Sequence, residues 1–252
     1  MAASKALVLI TGANQGIGFS IAQQMASSGK FHVLLGSRST SKADTAIQQL
    51  LGDKQYPVEA AAVSPVSIDV SDDTSVQDAA KVVKEKYGSL DILINNAGIS
   101  TGAPGLSIRD NFRAVFETNV FGVAVVIDAF LPLLRASKYH DRRIVNVSSG
   151  QGRISMALAR GTAANAQAGV HQYRSSKAAV NMLTALNSVL LADEGIAVVG
   201  AAPGYCRTGM NGGQGMKDAV DGAKAIIRAA TEGDPKELSG TLVADEHTQF
   251  GW

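Results

Sequence analysis

Thr11-Gly12-Ala13-Asn14-Gln15-Gly16-Ile17-Gly18 joins a short apolar run, Ala6 to Ile10, to a stretch of helical pattern that starts at Gly16. Glycines let the backbone turn tightly there and bring N–H groups close to a ligand. The first turn of the helix adds unpaired N–H donors and partial positive charge. Strand, glycine turn and helix N-terminus in this order make a seat for a pyrophosphate, with Gly12, Asn14, Gln15, Gly16, Ile17 and Gly18 as its candidate residues. The alternative is a glycine-rich strand-to-helix turn that holds nothing. The spacing is T-G-x-x-x-G-x-G, not the common G-x-G-x-x-G.

Outward from this turn, short apolar runs alternate with longer amphipathic stretches. Strands are expected at Ala6 to Ile10, Phe31 to Leu35, Val66 to Val70, Leu90 to Ile94, Arg143 to Val147, Ile196 to Ala201 and Thr241 to Ala244. Helices are expected at Gly16 to Ser28, Ser41 to Leu51, Asp72 to Tyr87, once or twice within Ile108 to Ala136, then at Gln172 to Ala192 and Asp218 to Thr231. In Asp72 to Tyr87 the apolar positions Val76, Ala79, Ala80, Val83 and Tyr87 have helical spacing, and Gly88 supplies a stop. The strands are apolar on both faces, as in a parallel sheet covered by helices. The pattern reads as an α/β chain: one Rossmann-type doubly wound parallel sheet of about seven strands, helices on both faces, in a single domain over residues 1–252. No internal repeat or linker interrupts it. Gly150 to Val170 reads as a mobile loop and Gly209 to Gly215 as a hinge.

The chain has 252 residues and a formal net charge of +1. That length suits one large α/β domain. The charge leaves no basic stripe of the kind that nucleic acid binding needs. No apolar run reaches the ~18 residues of a membrane span. Met1 to Lys5 leads directly into the first buried strand, unlike the start of a signal peptide. The single cysteine, Cys206, precludes an internal disulfide and fits a reducing compartment. A cytoplasmic location is expected. The histidines have no partners at metal-ligand spacing, and no metal is assigned.

Tyr173 and Lys177 stand four apart in a stretch that reads as helix. Residues at i and i+4 share a face, so a phenol and an ammonium lie side by side. A nearby positive charge favours the phenolate and lowers its pKa from about 10, which suits proton transfer near neutral pH. At the end of the second strand stand Ser37 and Arg38, where an NAD-preferring chain usually carries Asp or Glu. A carboxylate would repel a 2′-phosphate, whereas arginine matches one with a planar fork of donors. These two residues point to NADP(H). The competing view of Arg38 is an ordinary surface arginine, and Gln15 in the glycine turn is neutral where some NADP-binding chains have a basic residue.

The glycine turn, Asn95-Asn96-Ala97-Gly98, Tyr173-x-x-x-Lys177 and Pro203-Gly204 occur here in one order. Together they closely resemble the classical short-chain dehydrogenases/reductases, over nearly the whole chain. Within that family Asn146-Val147-Ser148-Ser149, Asn119-Val120-Phe121-Gly122 and the tail Gly240 to Trp252 are most similar to the carbonyl reductases. The resemblance implies an NADP-dependent oxidoreductase that reduces ketones, aldehydes or quinones reversibly. It equally admits a dedicated biosynthetic or steroid-type dehydrogenase. A cofactor-sensing protein without catalysis would have lost part of the Asn119, Ser149, Tyr173, Lys177 set.

By the same resemblance, Tyr173 is the proton donor and Lys177 also binds the nicotinamide ribose. Ser149 holds the substrate oxygen, with Ser148 as its alternative. Asn119 orders water beside Lys177, unless it is a buried amide satisfied by backbone. Asp69 and Val70, taken to close the third strand, contact the adenine, although Asp69 could equally cap a helix, as could Ser71 or Asp72. Asn95, Ala97 and Gly98 line the adenosine half. Pro203, Gly204, Cys206 and Thr208 wrap the nicotinamide, Cys206 through its backbone. The interval from Ser149 to Tyr173 is about ten residues longer than the family's usual one, so Gly150 to Gln172 is expected to border the active site. Phe250 and Trp252 either cover the pocket or dock at an interface. Relatives are often dimers or tetramers, and some are monomers.

Overall fold

The computed structural model describes residues 5–159, 170–244 and 249–251, except the side chains of 249 and 250. Strand β1 (Ala6–Ile10) is an interior strand of an eight-stranded sheet. On one side of it are β2 (Phe31–Ser37) and β3 (Val63–Ser67). On the other are β4 (Ile92–Asn95), β5 (Arg142–Val147), β6 (Ile196–Ala201) and the short β9 (Leu242–Val243). These seven strands run parallel, and β10 (Gln249–Phe250) closes the edge antiparallel to β9. Cys206–Arg207 (β7) and Lys217–Asp218 (β8) pair as a separate small ribbon.

Strand side chains alternate between faces, and the core divides accordingly. Val8, Ile10, Val33 and Leu35 pack beneath α1 (Gly16–Ser27), α2 (Thr40–Gly52) and α8 (Ala219–Thr231). Leu7, Leu9, Leu34, Leu93 and Ile144 pack under α3 (Asp73–Tyr87) and α5 (Gly122–Ala136). The remaining helices are α4 (Ile108–Phe116), α6 (Ile154–Leu158), α7 (His171–Leu190) and α9 (Pro235–Leu238). The chain is thus the three-layer doubly wound α/β fold expected.

Three expectations are corrected. The third strand lies three residues early: Val63 pairs with Val33 and Ser67 with Ser37, so Asp69 and Val70 lie beyond it. Pro65 masked the strand pattern, and it is tolerated because β3 forms the sheet edge, where a missing N–H donor is harmless. The stretch Ile108–Ala136 is, by length and composition, long and apolar enough to cross a membrane. Its α5 half nevertheless buries Val126, Ile127, Phe130 and Leu134 against the sheet as a core helix. The segment read as a hinge instead holds a 3-10 turn, Gly209–Asn211, inside the β7–β8 ribbon. Trp252, the side chain of Phe250 and residues 160–169 lie outside the described residues.

One buried cation ties the layers together. Arg143 is 0% exposed. Its Nε and one terminal nitrogen donate to the two Asp141 oxygens at 2.6 and 2.9 Å. Its remaining donors reach the carbonyls of Ala229, Glu232 and Gly233 at 3.0, 2.7 and 2.9 Å. All five guanidinium donors are therefore used. The positive charge also sits where the carbonyls at the end of α8 concentrate negative potential. Arg143→Met should leave a partly buried carboxylate and three carbonyls unpaired and lower folding stability by about 3–5 kcal/mol, measurable by urea denaturation.

Candidate functional site

Because β1 lies between β2 and β4, the connections leaving their carboxyl ends diverge to opposite faces and open a crevice. A cleft of about 320 Å³ occupies it. Gly12, Asn14, Gln15, Gly16, Ile17, Gly18, Arg38, Asp69, Val70, Ala97, Gly98, Tyr173, Lys177, Pro203 and Thr208, all singled out from the sequence, line it. So do Ser148, the alternative to Ser149, and Ile68, Ser71, Asn96, Ile99, Thr118, Val147, Gly209 and Met210, which were not assigned there. Ser37, Asn95, Asn119, Ser149, Gly204 and Cys206 stand behind or beside the walls.

The glycine turn is shaped by close approach. Gly12 and Gly16 have φ of 63° and 59°, a region that side chains disfavour. A Cβ on Gly18 would lie 2.4 Å from Asn96 Nδ2 and 2.5 Å from the Gly12 carbonyl oxygen. Helix α1 has no side-chain cap and no acidic residue in its first turn. Its first N–H groups therefore face the cleft unpaired, with favourable potential for an anion. Asn96 and Thr11 clamp the turn in place. Asn96 Nδ2 donates to the carbonyls of Thr11 and Gly12 at 2.9 and 3.2 Å. Thr11 Oγ1 accepts from the N–H groups of Asn96 and Ala97, both at 3.0 Å. Asn96 adjoins the Asn95-Ala97-Gly98 candidates, but nothing in its residue type distinguished its role from theirs. Asn95 is buried, donating to Asn146 Oδ1 at 2.9 Å.

At one end of the cleft Arg38 is exposed, with no ion pair among the described residues. Ser37 is buried and its hydroxyl donates to the Ser39 carbonyl, just before α2 begins. Asp69 accepts from the Ser71 hydroxyl and N–H at 2.7 and 3.0 Å. The Ser71 hydroxyl, above all, and more weakly the charge of Arg38 hold its carboxyl below the usual range. The helix cap considered for Asp69 belongs to Asp72, which accepts from Thr74 and Ser75 N–H.

At the other end α7 carries Tyr173 and Lys177, with the Lys177 nitrogen 5.7 Å from the Tyr173 ring centre. Burial pushes the Tyr173 phenol up from its ordinary value, and a hydrogen bond with Ser149 counters part of this. The expected lowering by Lys177 is therefore absent here. Lys177 is itself buried, and its pKa is brought down to about 8 by desolvation. Its Nζ donates to the Val147 carbonyl at 2.7 Å. Of the two serines, Ser148 lines the cleft and Ser149 stands beside it. The Ser148 hydroxyl turns to Asn181 Oδ1 and the Lys177 carbonyl, whereas Ser149 meets Tyr173.

Asn119 lies in a single π-helical turn, Glu117–Phe121, between α4 and α5. It is fully buried, accepts from Ile99 N–H at 2.8 Å and donates to the Ile99 carbonyl at 2.9 Å and Ser176 Oγ at 3.0 Å. Cys206 is a small packed residue whose thiol donates to the Pro203 carbonyl at 3.3 Å. Thr208 caps the 3-10 turn beside the cleft. Of the long interval after Ser149, Gly150–Gly152 packs on α7: a Cβ on Gly152 would lie 2.7 Å from the Lys177 carbonyl carbon.

The short chain dehydrogenase family model matches residues 6–218. The short-chain dehydrogenase anuI of Penicillium roqueforti (strain FM164) is 54% identical over 255 residues, covering 100% of this chain and 99% of that protein. The NADPH-dependent pterin aldehyde reductase of Arabidopsis thaliana is 34% identical over 203 residues, 80% of this chain and 75% of that protein. Among solved structures, NADPH-bound carbonyl reductase from chicken fatty liver superposes with a TM-score of 0.82 at 26% identity, covering 99% of this chain and 100% of that one.

The buried lysine has a measurable cost. An ammonium whose folded pKa of about 8 lies below its ordinary value of 10.5 binds fewer protons folded than unfolded between those limits. Stability therefore rises with pH across that window. Lys177→Met should stabilise the fold at pH 7, and its advantage should shrink as pH climbs from about 8 towards 10.5, read from denaturant midpoints at each pH.

Proposed function

The chain belongs to the short-chain dehydrogenase family, and from that premise we propose that it is an NADPH-dependent carbonyl reductase, taking a ketone, aldehyde or quinone to the alcohol reversibly. The observation that carries this reading is the placement of Tyr173 and Lys177 together on the wall of a cleft whose opposite end is a phosphate cradle.

The cradle suits a dinucleotide. Gly18 leaves room that a Cβ would fill, and the α1 N–H groups have no competing cap. Gly12, Asn14, Gln15, Gly16, Ile17 and Gly18 would hold the pyrophosphate. Asp69 and Val70 would meet the adenine, Ala97 and Gly98 the adenosine half, and Pro203, Gly204, Cys206 and Thr208 the nicotinamide end, with Asn95 bracing the sheet beneath. When bound, the reduced nicotinamide supplies a hydride to the carbonyl carbon. Ser37 and Arg38 support NADP(H) over NAD(H), since Arg38 presents a guanidinium free of ion pairing and no carboxylate stands at the strand end. The similar pterin aldehyde reductase of Arabidopsis thaliana is NADPH-dependent and the chicken carbonyl reductase structure is NADPH-bound, which supports the same choice.

Reduction builds negative charge on the carbonyl oxygen, so that oxygen needs donors and then a proton. The raised Tyr173 pKa keeps the phenol protonated at neutral pH, ready to donate. Ser149 donates to the same oxygen and holds it. Lys177, on the same helix face as Tyr173, would hold the nicotinamide ribose beside it. Asn119 connects the wall at Ile99 to α7 behind Lys177.

Tyr173→Phe should lower kcat by about 100-fold or more while NADPH still binds, followed by nicotinamide absorbance and fluorescence titration. Unchanged turnover would remove Tyr173 from this role. Arg38→Asp should weaken NADPH binding by about 10-fold or more and favour NADH. An unaltered preference in a paired NADPH and NADH assay would overturn the phosphate assignment.

A further inference from the structure

Ser176 is fully buried on α7, one turn beyond Tyr173, and no step of the proposed chemistry uses it. Its hydroxyl donates to the Tyr173 carbonyl at 2.7 Å and accepts from Asn119 Nδ2 at 3.0 Å. Asn119 in turn grips both backbone groups of Ile99, a residue of the cleft wall. A continuous chain thus runs from the wall after β4, through Asn119 and Ser176, to the backbone that carries Tyr173.

The orientation of Asn119 depends on this chain. Its two N–H donors are both engaged, one on Ile99 and one on Ser176. Its Oδ1 accepts from Ile99 N–H and also faces Gly98: a Cβ there would lie 3.2 Å from Oδ1 and 3.7 Å from Lys177 Nζ. Without the Ser176 oxygen, one N–H would be left buried and unpaired, a penalty of about 1–3 kcal/mol. Rotation of the amide cannot relieve it without breaking both Ile99 bonds, so the loss falls on the tie between Asn119 and α7.

We propose that Ser176 is a positioning residue, which acts through Asn119 to hold the Lys177 and Tyr173 pair in its proton-donating arrangement. This rests on the reductase reading for its effect on turnover, but not for its effect on the phenol. The charged or titratable groups at this corner are Tyr173 and Lys177, both on α7. The neighbouring elements present neutral groups: Ser148 and Ser149 after β5, Thr118 and Asn119 from the π turn, and Ile99 after β4. Burial and the Ser149 hydroxyl act on Tyr173, and burial alone acts on Lys177.

The test compares Ser176→Ala with Thr184→Val. Thr184 is equally buried on the same helix, about two turns farther along, and its hydroxyl likewise bridges an amide, Asn146 Nδ2 at 3.0 Å, and a helix carbonyl, Val180 at 2.8 Å. Both variants should lose stability. Ser176→Ala alone should lower kcat about 10-fold with KM and NADPH affinity little changed. It alone should also displace the Tyr173 phenolate titration to higher pH, isolated by subtracting the same variant carrying Tyr173→Phe. Ser176→Cys, a weaker donor and acceptor of similar size, should fall between, and it serves if the alanine variant does not fold. A wild-type pH profile and titration in the Ser176 variants, or an equal displacement in Thr184→Val, would overturn the proposal. If the unaltered protein reduced no carbonyl, the titration would still decide: displacement supports the positioning role, and its absence refutes it.

Discussion

Helix α7 meets the sheet with hydrogen-bonding side chains where a core helix ordinarily presents alkyl groups. Gln172, Ser176, Lys177, Asn181 and Thr184 are all buried on that face, with Val180 among them. Each has a partner: Gln172 on the Ser100 carbonyl, Ser176 on Asn119, Lys177 on Val147, Asn181 on Ser148 and Thr184 on Asn146. Alkyl packing tolerates small slides, but directional bonds fail together when a helix shifts by one residue. Such a face rigidifies only if every member is satisfied. The arrangement selects one register for α7, and that register sets where Tyr173 and Lys177 enter the cleft.

The doubly wound fold was legible because apolar runs and amphipathic stretches alternate with glycine at the turns. Ile196–Ala201 matches its expected bounds, since its six residues are buried without interruption. The third strand was displaced because Pro65 and flanking serines broke its apolar pattern. At the site, the glycine turn and the Tyr173–Lys177 pair were readable because local spacing carries the chemistry. The choice between Ser148 and Ser149 was not. It depends on which hydroxyl α7 engages, and Asn181, which captures Ser148, lies 33 residues away along the chain. Asn96 and Ser176 were missed for the same reason, because a polar residue's partner across the fold leaves no trace in its neighbours.

Cleft and core impose opposite demands on the same strands. Towards β1 the turn after the strand excludes side-chain volume, as Gly18 against Asn96 shows. Towards β5 the polar groups are buried and paired, and the lysine is held where its ammonium is disfavoured. One end binds by backbone, with little dependence on side-chain protonation. The other is sensitive to single hydroxyls and amides. Arg143 at the opposite end of β5 anchors that strand to α8, away from the chemistry.

The π turn at Glu117–Phe121 acts as a phase adjuster within a helical run 29 residues long. An α-helix advances each residue by about 100° and 1.5 Å. Closing it into a uniform spiral with every residue kept would therefore rotate everything downstream by roughly that amount. Ala129 would arrive where Phe130 now packs against the sheet, and Asn119 would lose its aim at Ile99. The wide turn lets one continuous rod serve two masters, a greasy interior and a polar relay, whose angular settings are out of step.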